Sequence, residues 1–493
     1  MSWRLSILAL LVAFALKPAH AAERLTIGEG ALGNIYVAGE RVTIPVHAGT
    51  APLRWSVHDF FGAEIATGTA RPANGSTTIE PGIPTLGYFT LEVSAEGAQA
   101  GEPARAALAI VPPPASSGTS PFGVMTHFAK GWSTDIIPLI EKAGIRHVRD
   151  EQPWRMVERK PGQYAFPPRL ANFMAELGAH HLDPLVVLAF SNPLYDGDKT
   201  PFSDAGRQAY AAYAREVAQH YASNVSAVEI WNEYNGSFCA GPCRSDRPAY
   251  YTSMLQDAYK GLKAANPSLT VLGGAAVPIP LDYFRQLFEK GALSAMDVAV
   301  IHPYRKQPEG VEEQIELLRQ AMARYGTPKP IWATEFADLP DMKKSRDDVA
   351  RYLVRMSTLL RAANVGRLYW YLLRDYQEFS GLGLVRDGKD PLGHYAPTPA
   401  YAAYATLIHQ LGDAHFVRRE PTDRRLRVYV FSSNSQEIRV VWSTDPGPAY
   451  EFASAVPVRR ISMMGDEKLL APEAGRINVT PDRNPIYLVG NAK

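Results

Sequence analysis

Hydrophobic and polar positions follow one period along the chain, then another, then the first again. Between residues 23 and about 110, short runs alternate apolar and polar, as in Arg41-Val42-Thr43-Ile44-Pro45-Val46 and Tyr88-Phe89-Thr90-Leu91-Glu92-Val93, with Gly, Asn and Pro between them. A period of two places the apolar side chains of each run on one face, so these runs predict the strands of a small β-sandwich. From residue 121 the pattern changes to short apolar runs separated by stretches of helical spacing. The predicted strands cover 122–125, 145–149, 185–190, 228–231, 270–273, 297–301, 331–334 and 367–371, and the predicted helices include 203–219, 248–265, 310–325 and 346–364. Eight such strands with helices between them, over about 290 residues, fit a (β/α)8 barrel. A doubly wound sheet would use fewer strands, and no Gly-x-Gly-x-x-Gly follows the first one. Beyond residue 412 the alternation returns, in Leu426-Arg427-Val428-Tyr429-Val430-Phe431, Ile438-Arg439-Val440-Val441-Trp442-Ser443 and Ile486-Tyr487-Leu488-Val489.

The predicted fold class is therefore α/β, a (β/α)8 TIM barrel flanked by N-terminal and C-terminal β-sandwich domains. The predicted boundaries are a signal peptide over 1–21, the N-terminal sandwich over 22–110, a linker of Pro, Ser and Gly over 111–120, the barrel over 121–412 and the C-terminal sandwich over 413–493. The signal reading rests on the positive Arg4, the apolar stretch 6–16 and the small-x-small site Ala19-His20-Ala21. That stretch is shorter than the about 18 apolar residues a membrane span needs, and no later run reaches that length. The expected location is periplasmic or secreted, with no transmembrane segment after signal cleavage.

Charge narrows the partners. The 493 residues carry 51 Lys and Arg against 50 Asp and Glu, so there is no basic excess of the kind that binds nucleic acid, while sugars and mixed polar ligands stay compatible. The hydrophobic share of 46% excludes a disordered chain. The two cysteines, Cys239 and Cys243, enclose Ala240-Gly241-Pro242. In an oxidising compartment Gly and Pro permit the tight turn of a local disulfide. A structural zinc would need a second ligand pair, and a thioredoxin-like site would have two intervening residues instead of three. No metal or cofactor is expected.

Active sites of such barrels lie at the C-terminal ends of the strands. The polar residues that follow the apolar runs are Thr126-His127, then Asp150-Glu151 with Trp154, Ser191-Asn192, Asn232-Glu233, His302-Pro303-Tyr304 and Glu335; the eighth run ends in Tyr369-Trp370-Tyr371, with Arg374 and Asp375 behind it. Glu233 and Glu335 close the fourth and seventh strands, which face each other across the barrel mouth. Two carboxyls so placed suit glycosidic cleavage, in which one protonates the leaving oxygen while the other attacks or activates water. A separation of about 5–5.5 Å would mean retention of configuration and about 6.5–9.5 Å inversion. Trp370 is the predicted sugar platform and Trp154 a second candidate. His127, Arg149, Asn192 and Arg374 are candidate polar contacts; an inward Arg would suit an acidic sugar, while Arg149 could instead pair with Asp150 or Glu151. A serine hydrolase and a His-Glu-x-x-His metallohydrolase lack their motifs here.

These residues resemble clan A of the glycoside hydrolases, over about residues 121–410. Trp231-Asn232-Glu233 matches the clan's strand-four motif and Thr334-Glu335 its strand-seven motif. The run Arg149-Asp150-Glu151-x-x-Trp154-x-x-Val157-Glu158-x-x-Pro161-Gly162-x-Tyr164-x-Phe166 is similar to the strand-two region of family 39 and its neighbours. The barrel also resembles bacterial enzymes acting on cell-envelope or biofilm exopolysaccharides, and xylosidase-type members. The resemblance implies Glu233 as acid and then base, Glu335 as nucleophile, and Asn232 on the sugar 2-hydroxyl. It also implies Tyr304 against Glu335, with His302 as partner or substrate contact. The implied activity is retaining hydrolysis of β-linked, or stereochemically equivalent L-sugar, bonds in a polysaccharide or oligosaccharide, a bacterial exopolysaccharide among them. Two other readings keep the fold: a transglycosylase of exopolysaccharide synthesis, and a glycan-binding protein without catalysis.

Overall fold

The computed structural model describes residues 25–96, 102–114, 120–338, 345–444 and 447–491. The predicted signal peptide and residues 115–119 of the predicted linker lie outside them. Eight parallel strands close into a barrel in sequence order: β1 (Phe122–Met125), β2 (His147–Glu151), β3 (Asp183–Leu188), β4 (Ala227–Ile230), β5 (Thr270–Ala276), β6 (Val298–Ile301), β7 (Ile331–Phe336) and β8 (Leu368–Trp370). Each of the eight predicted runs overlaps one strand. The shifts are at the ends, where β2 starts two residues later and β3 two residues earlier than the apolar runs do. Leu185, Ala227, Leu272, Val298, Val300 and Tyr369 fill the barrel interior. Helices cover its outside, and three of them begin on side-chain N-caps: Ser203 accepts from the Gly206 N–H (3.0 Å), Asp246 from Ala249 (3.0 Å) and Ser345 from Asp348 (3.1 Å). Each such cap is worth about 1 kcal/mol.

The flanking domains share one device. In the N-terminal domain a three-stranded sheet faces a five-stranded one, and the strand Ala104–Val111 is buried almost throughout. Its Leu108 and Ile110 enter the core between the two sheets, whereas Ala107, Ala109 and Val111 join the core of the barrel. Period two with both faces covered gives an apolar run, and that is how this strand reads. In the C-terminal domain a six-stranded sheet does the same, with Val428, Val430 and Leu488 on its own core and Tyr429, Phe431, Trp442 and Tyr487 on the barrel core. The contact has polar pins: Trp442 Nε1 donates to Glu309 (3.0 Å) and Tyr429 Oη to Glu312 (2.6 Å). Among the described residues no helix is long and apolar enough to cross a membrane.

Candidate active site

The mouth of the barrel is built from strand ends and the tight turns behind them. After β4 the chain turns sharply, with Trp231 at φ 68° and Glu233 at φ 41°. Left-handed backbone at residues other than glycine costs on the order of 1–3 kcal/mol and persists only where surrounding contacts impose it. Here Tyr234 N–H donates to Ala275 O (3.0 Å), Gly236 N–H to Glu233 O (2.8 Å), and Trp231 Nε1 to Phe238 O (3.1 Å). Just beyond, a disulfide joins Cys239 and Cys243, whose Cα atoms are 6.1 Å apart. Closing so short a loop stabilises by about 2 kcal/mol through the unfolded state. Replacing both cysteines by serine should therefore lower the urea midpoint of the oxidised protein by that equivalent; equal midpoints would contradict it.

Around Glu233 and Glu335 the side chains form one connected network. Arg149, on β2 and 1% exposed, donates from Nε to Glu229 (2.8 Å), from Nη2 to Glu229 (3.0 Å) and to Asn232 Oδ1 (2.8 Å), and from Nη1 to Glu335. Burial favours a neutral Glu229, but the Arg149 charge outweighs it and brings that carboxyl down to about 2. Arg149 is thus a buried cation between two carboxylates, and Asn232 keeps its amide N–H2 without a partner among the described residues. Tyr304 Oη donates to the other oxygen of Glu335 (2.9 Å). The register slips by one residue on β7 between Ala333 and Phe336. A bulge of this kind re-aims side chains at a strand end, and here both Thr334 and Glu335 engage the network.

His302, completely buried, links the two carboxyls. Its Nδ1 lies 3.0 Å from Glu233 Oε1 and 3.8 Å from Glu335, and its Nε2 lies 3.0 Å from Thr334 Oγ1 and 3.6 Å from Glu229. Burial disfavours the imidazolium, yet the Glu335 charge and the contacts with Glu229 and Glu233 prevail and raise its pKa to about 9. A raised folded-state pKa adds stability that is fully present below the unfolded value of about 6.5 and is lost as pH rises through about 9. The melting temperature should accordingly fall between those pH values, and His302→Gln should flatten that fall; an unchanged slope in the variant would contradict the charged imidazole. In a separate part of the wall, burial pushes Asp150 up to about 7, although Thr126 Oγ1 and the Phe128 and Glu151 N–H groups all donate to it at 2.7 Å.

Several predicted contacts lie elsewhere. Trp370, the predicted platform, is 0% exposed, donates from Nε1 to Leu382 O (2.9 Å) and packs on Phe336 and Tyr352. Alternation explains this: Tyr369 points into the barrel, so Trp370 points out toward the helices. Trp154 is equally buried, stacks on Tyr195 and Tyr213, and donates to Glu158 (2.6 Å). Asn192, also buried, ties its loop to Glu158 O (2.8 Å) and presents nothing to a ligand. Arg149 pairs with Glu229 and Glu335, not with Asp150 or Glu151, and is too buried to touch substrate. His302 likewise meets Glu233 and not the cleft. His127 is buried with Nε2 3.3 Å from Tyr371 Oη, and Arg374 is half-buried over the Trp132 ring. Sequence reasoning missed Glu229 and Trp132, and named Tyr371 at the end of the eighth run without giving it a role. A carboxylate inside the apolar run Ala227-Val228-Glu229-Ile230 was the available signal for the first, because a buried charge needs a partner.

Oxygens of Glu233 and Glu335 and a nitrogen of His302 lie within 4.8 Å of one another, close enough to share a cation. Arg149 already supplies a cation to Glu335, and both nitrogens of His302 are engaged, so the trio is a proton and carboxylate network. Away from this site, a cavity of about 940 Å³ lies between the N-terminal sandwich and residues 390–394, lined by Glu29, Arg105 and His394.

Residues 205–392 match a family model described as glycosyl hydrolase catalytic core. No curated protein matches the chain. A family 39 glycoside hydrolase from the gut symbiont Bacteroides cellulosilyticus WH2 superposes with a TM-score of 0.79 at 20% identity, covering 95% of this chain and 100% of that one. A family 39 β-xylosidase from Caulobacter crescentus gives 0.53 at 15% identity over 78% of this chain and 98% of that one. A family 30 endoxylanase from Clostridium papyrosolvens C71 gives 0.55 at 16% identity over 76% and 98%. With that match over residues 205–392 and a fold like theirs, the chain is a glycosidase with a carbohydrate substrate.

Proposed function

We propose that the protein is a retaining glycosidase that cleaves β-linked, or stereochemically equivalent L-sugar, bonds in a polysaccharide or oligosaccharide outside the cytoplasm. The observation that carries this reading is the approach of Glu233 and Glu335, whose oxygens come within 4.8 Å. Carboxyl oxygens this close fit the shorter separation of retaining enzymes, in which the carboxylate attacks directly. Glu335 attacks the anomeric carbon and forms a glycosyl ester as the bond to the leaving oxygen breaks, while Glu233 gives that oxygen its proton. Water then enters, Glu233 takes its proton, and the ester is displaced from the opposite face, restoring both carboxyls. Tyr304 and Arg149 hold Glu335 in line by hydrogen bonds to separate oxygens, and Asn232, anchored by Arg149, offers its amide N–H2 to the sugar 2-hydroxyl. Pre-aimed donors of this kind lower the barrier because they need no reorganisation during the reaction.

The signal-like N-terminus and the Cys239–Cys243 disulfide support an exported protein. A bacterial exopolysaccharide is the substrate we favour, and xylans belong beside it in the assay because structural neighbours are xylosidases and xylanases. The test is mass spectrometry of products from a glycan panel incubated with the protein and with Glu335→Gln. Shortened glycans from the intact protein alone would support hydrolysis. Products longer than the substrate would mean transglycosylation, and binding without any product would leave a glycan-binding protein.

A further inference from the structure

Beside the catalytic pair, on the β8 and β1 side, the wall contains polar atoms that no described residue satisfies. His127 and Trp132 are 2% and 7% exposed, their rings 5.2 Å apart, and both pack against Tyr376. The guanidinium of Arg374 lies 4.5 Å from the Trp132 ring centre. Among the described residues His127 Nδ1, Trp132 Nε1 and Arg374 Nε are all buried without a hydrogen-bond partner. Buried polar groups are nearly always paired, so three unpaired ones in one cluster point to a missing ligand.

Charge says what kind of ligand. No carboxylate pairs with Arg374 among the described residues, and acids of this wall are already engaged, Asp150 among them through Thr126 and the Phe128 N–H. Asp375 binds Arg346 (2.6 Å) and the Gly381 and Gly383 N–H groups, while Glu151 pairs with Lys130 (3.3 Å). Burial, followed by the charges of Lys130, Arg149 and Arg374, pulls His127 down to about 3, so its ring is neutral. The cluster also borders the reaction centre: His127 meets Tyr371 Oη at 3.3 Å, and the Tyr371 ring is 6.2 Å from that of Tyr304, which holds Glu335.

We propose that Arg374, Trp132 and His127 form a subsite for an anionic group on the glycan, a sugar carboxylate or a sulfate, next to the nucleophile. The inference rests on the glycosidase reading above. Arg374 supplies the counter-charge, stacked and so pre-oriented on Trp132, and the indole N–H adds a neutral donor. The substrate class is then a uronate-containing or sulfated polysaccharide.

The test compares kcat/KM on matched glycans: uronate polysaccharides and their carboxyl-reduced forms, and sulfated polysaccharides and their desulfated forms. The wild type should prefer one acidic member, and which pair shows the preference separates carboxylate from sulfate. Arg374→Gln should erase the preference, losing about 10- to 100-fold more on the acidic glycan than on its neutral counterpart. Arg374→Lys should recover part of it, and Trp132→Phe, which keeps the ring and removes the N–H, should weaken it by about 5-fold. Equal cleavage of acidic and neutral forms by the wild type would overturn the inference and leave the glycosidase reading intact. So would an Arg374→Gln loss of the same size on both. If no glycan is cleaved, the glycosidase reading fails by itself; calorimetry of Glu335→Gln with glucuronate oligosaccharides and with sulfated ones then decides the subsite, and absence of binding to both overturns it.

Discussion

Replacing Glu335 by alanine should lower turnover of any cleaved glycoside by about 10,000-fold or more, because among the described residues no other carboxylate is held by both Tyr304 and Arg149 for the attack. Tyr304 and Arg149, which hold the carboxylate, would remain, and Arg149 would keep its pairing with Glu229, so the fold should survive the change. The removed side chain also leaves a gap on the face that Glu335 occupied. Azide entering that gap attacks with a single displacement, and the product should be a glycosyl azide of configuration opposite to the substrate. Activity within about 10-fold of the wild type in Glu335→Ala would remove this residue from the nucleophile role.

Replacing Glu233 by alanine should cost about 100- to 10,000-fold on a substrate with a poor leaving group, the range expected of a general acid. An activated aryl leaving group needs little protonation, so on that substrate the first step should stay fast while breakdown of the ester, which needs the base, becomes slow. Intact-mass analysis should then show protein carrying one added glycosyl residue, with a burst of released phenol. Azide should turn the ester over and give a glycosyl azide of retained configuration, opposite to that from Glu335→Ala. His302 stands 3.0 Å from Glu233 Oε1 and completes its setting, but it is buried and takes no direct part with substrate. A Glu233→Ala variant equally impaired on both leaving groups would show that this carboxyl does not act as the acid.

How far the sequence could be read depended on the kind of signal. The barrel was legible because strands buried on both faces leave short apolar runs, eight of which alternate with helical stretches, and the strand-end rule then singled out Glu233 and Glu335. Trp370 was misjudged by treating a strand end as a cluster and not as an alternation: Tyr369 faces inward, so its neighbour packs against Phe336 and Tyr352 outside the barrel. Trp154 and Asn192 follow strands too, but Trp154 enters an aromatic stack and Asn192 braces its loop on Glu158 O. Pairings between strands distant in sequence were beyond reach, since nothing local says that Arg149 meets Glu229 across 80 positions or that His302 meets Thr334 across 32. The loop carrying Trp132 follows no period, and its contact with Arg374 exists only because the barrel closes β8 against β1.

The central claim is direct attack by Glu335 on the anomeric carbon, and it is tested most directly by proton NMR of the first product formed from a cleaved glycan, recorded before mutarotation. Double displacement predicts that the newly released anomeric centre has the configuration of the bond that was cut. Release of the opposite anomer as the first product would mean that water, and not Glu335, makes the attack, and would contradict the account.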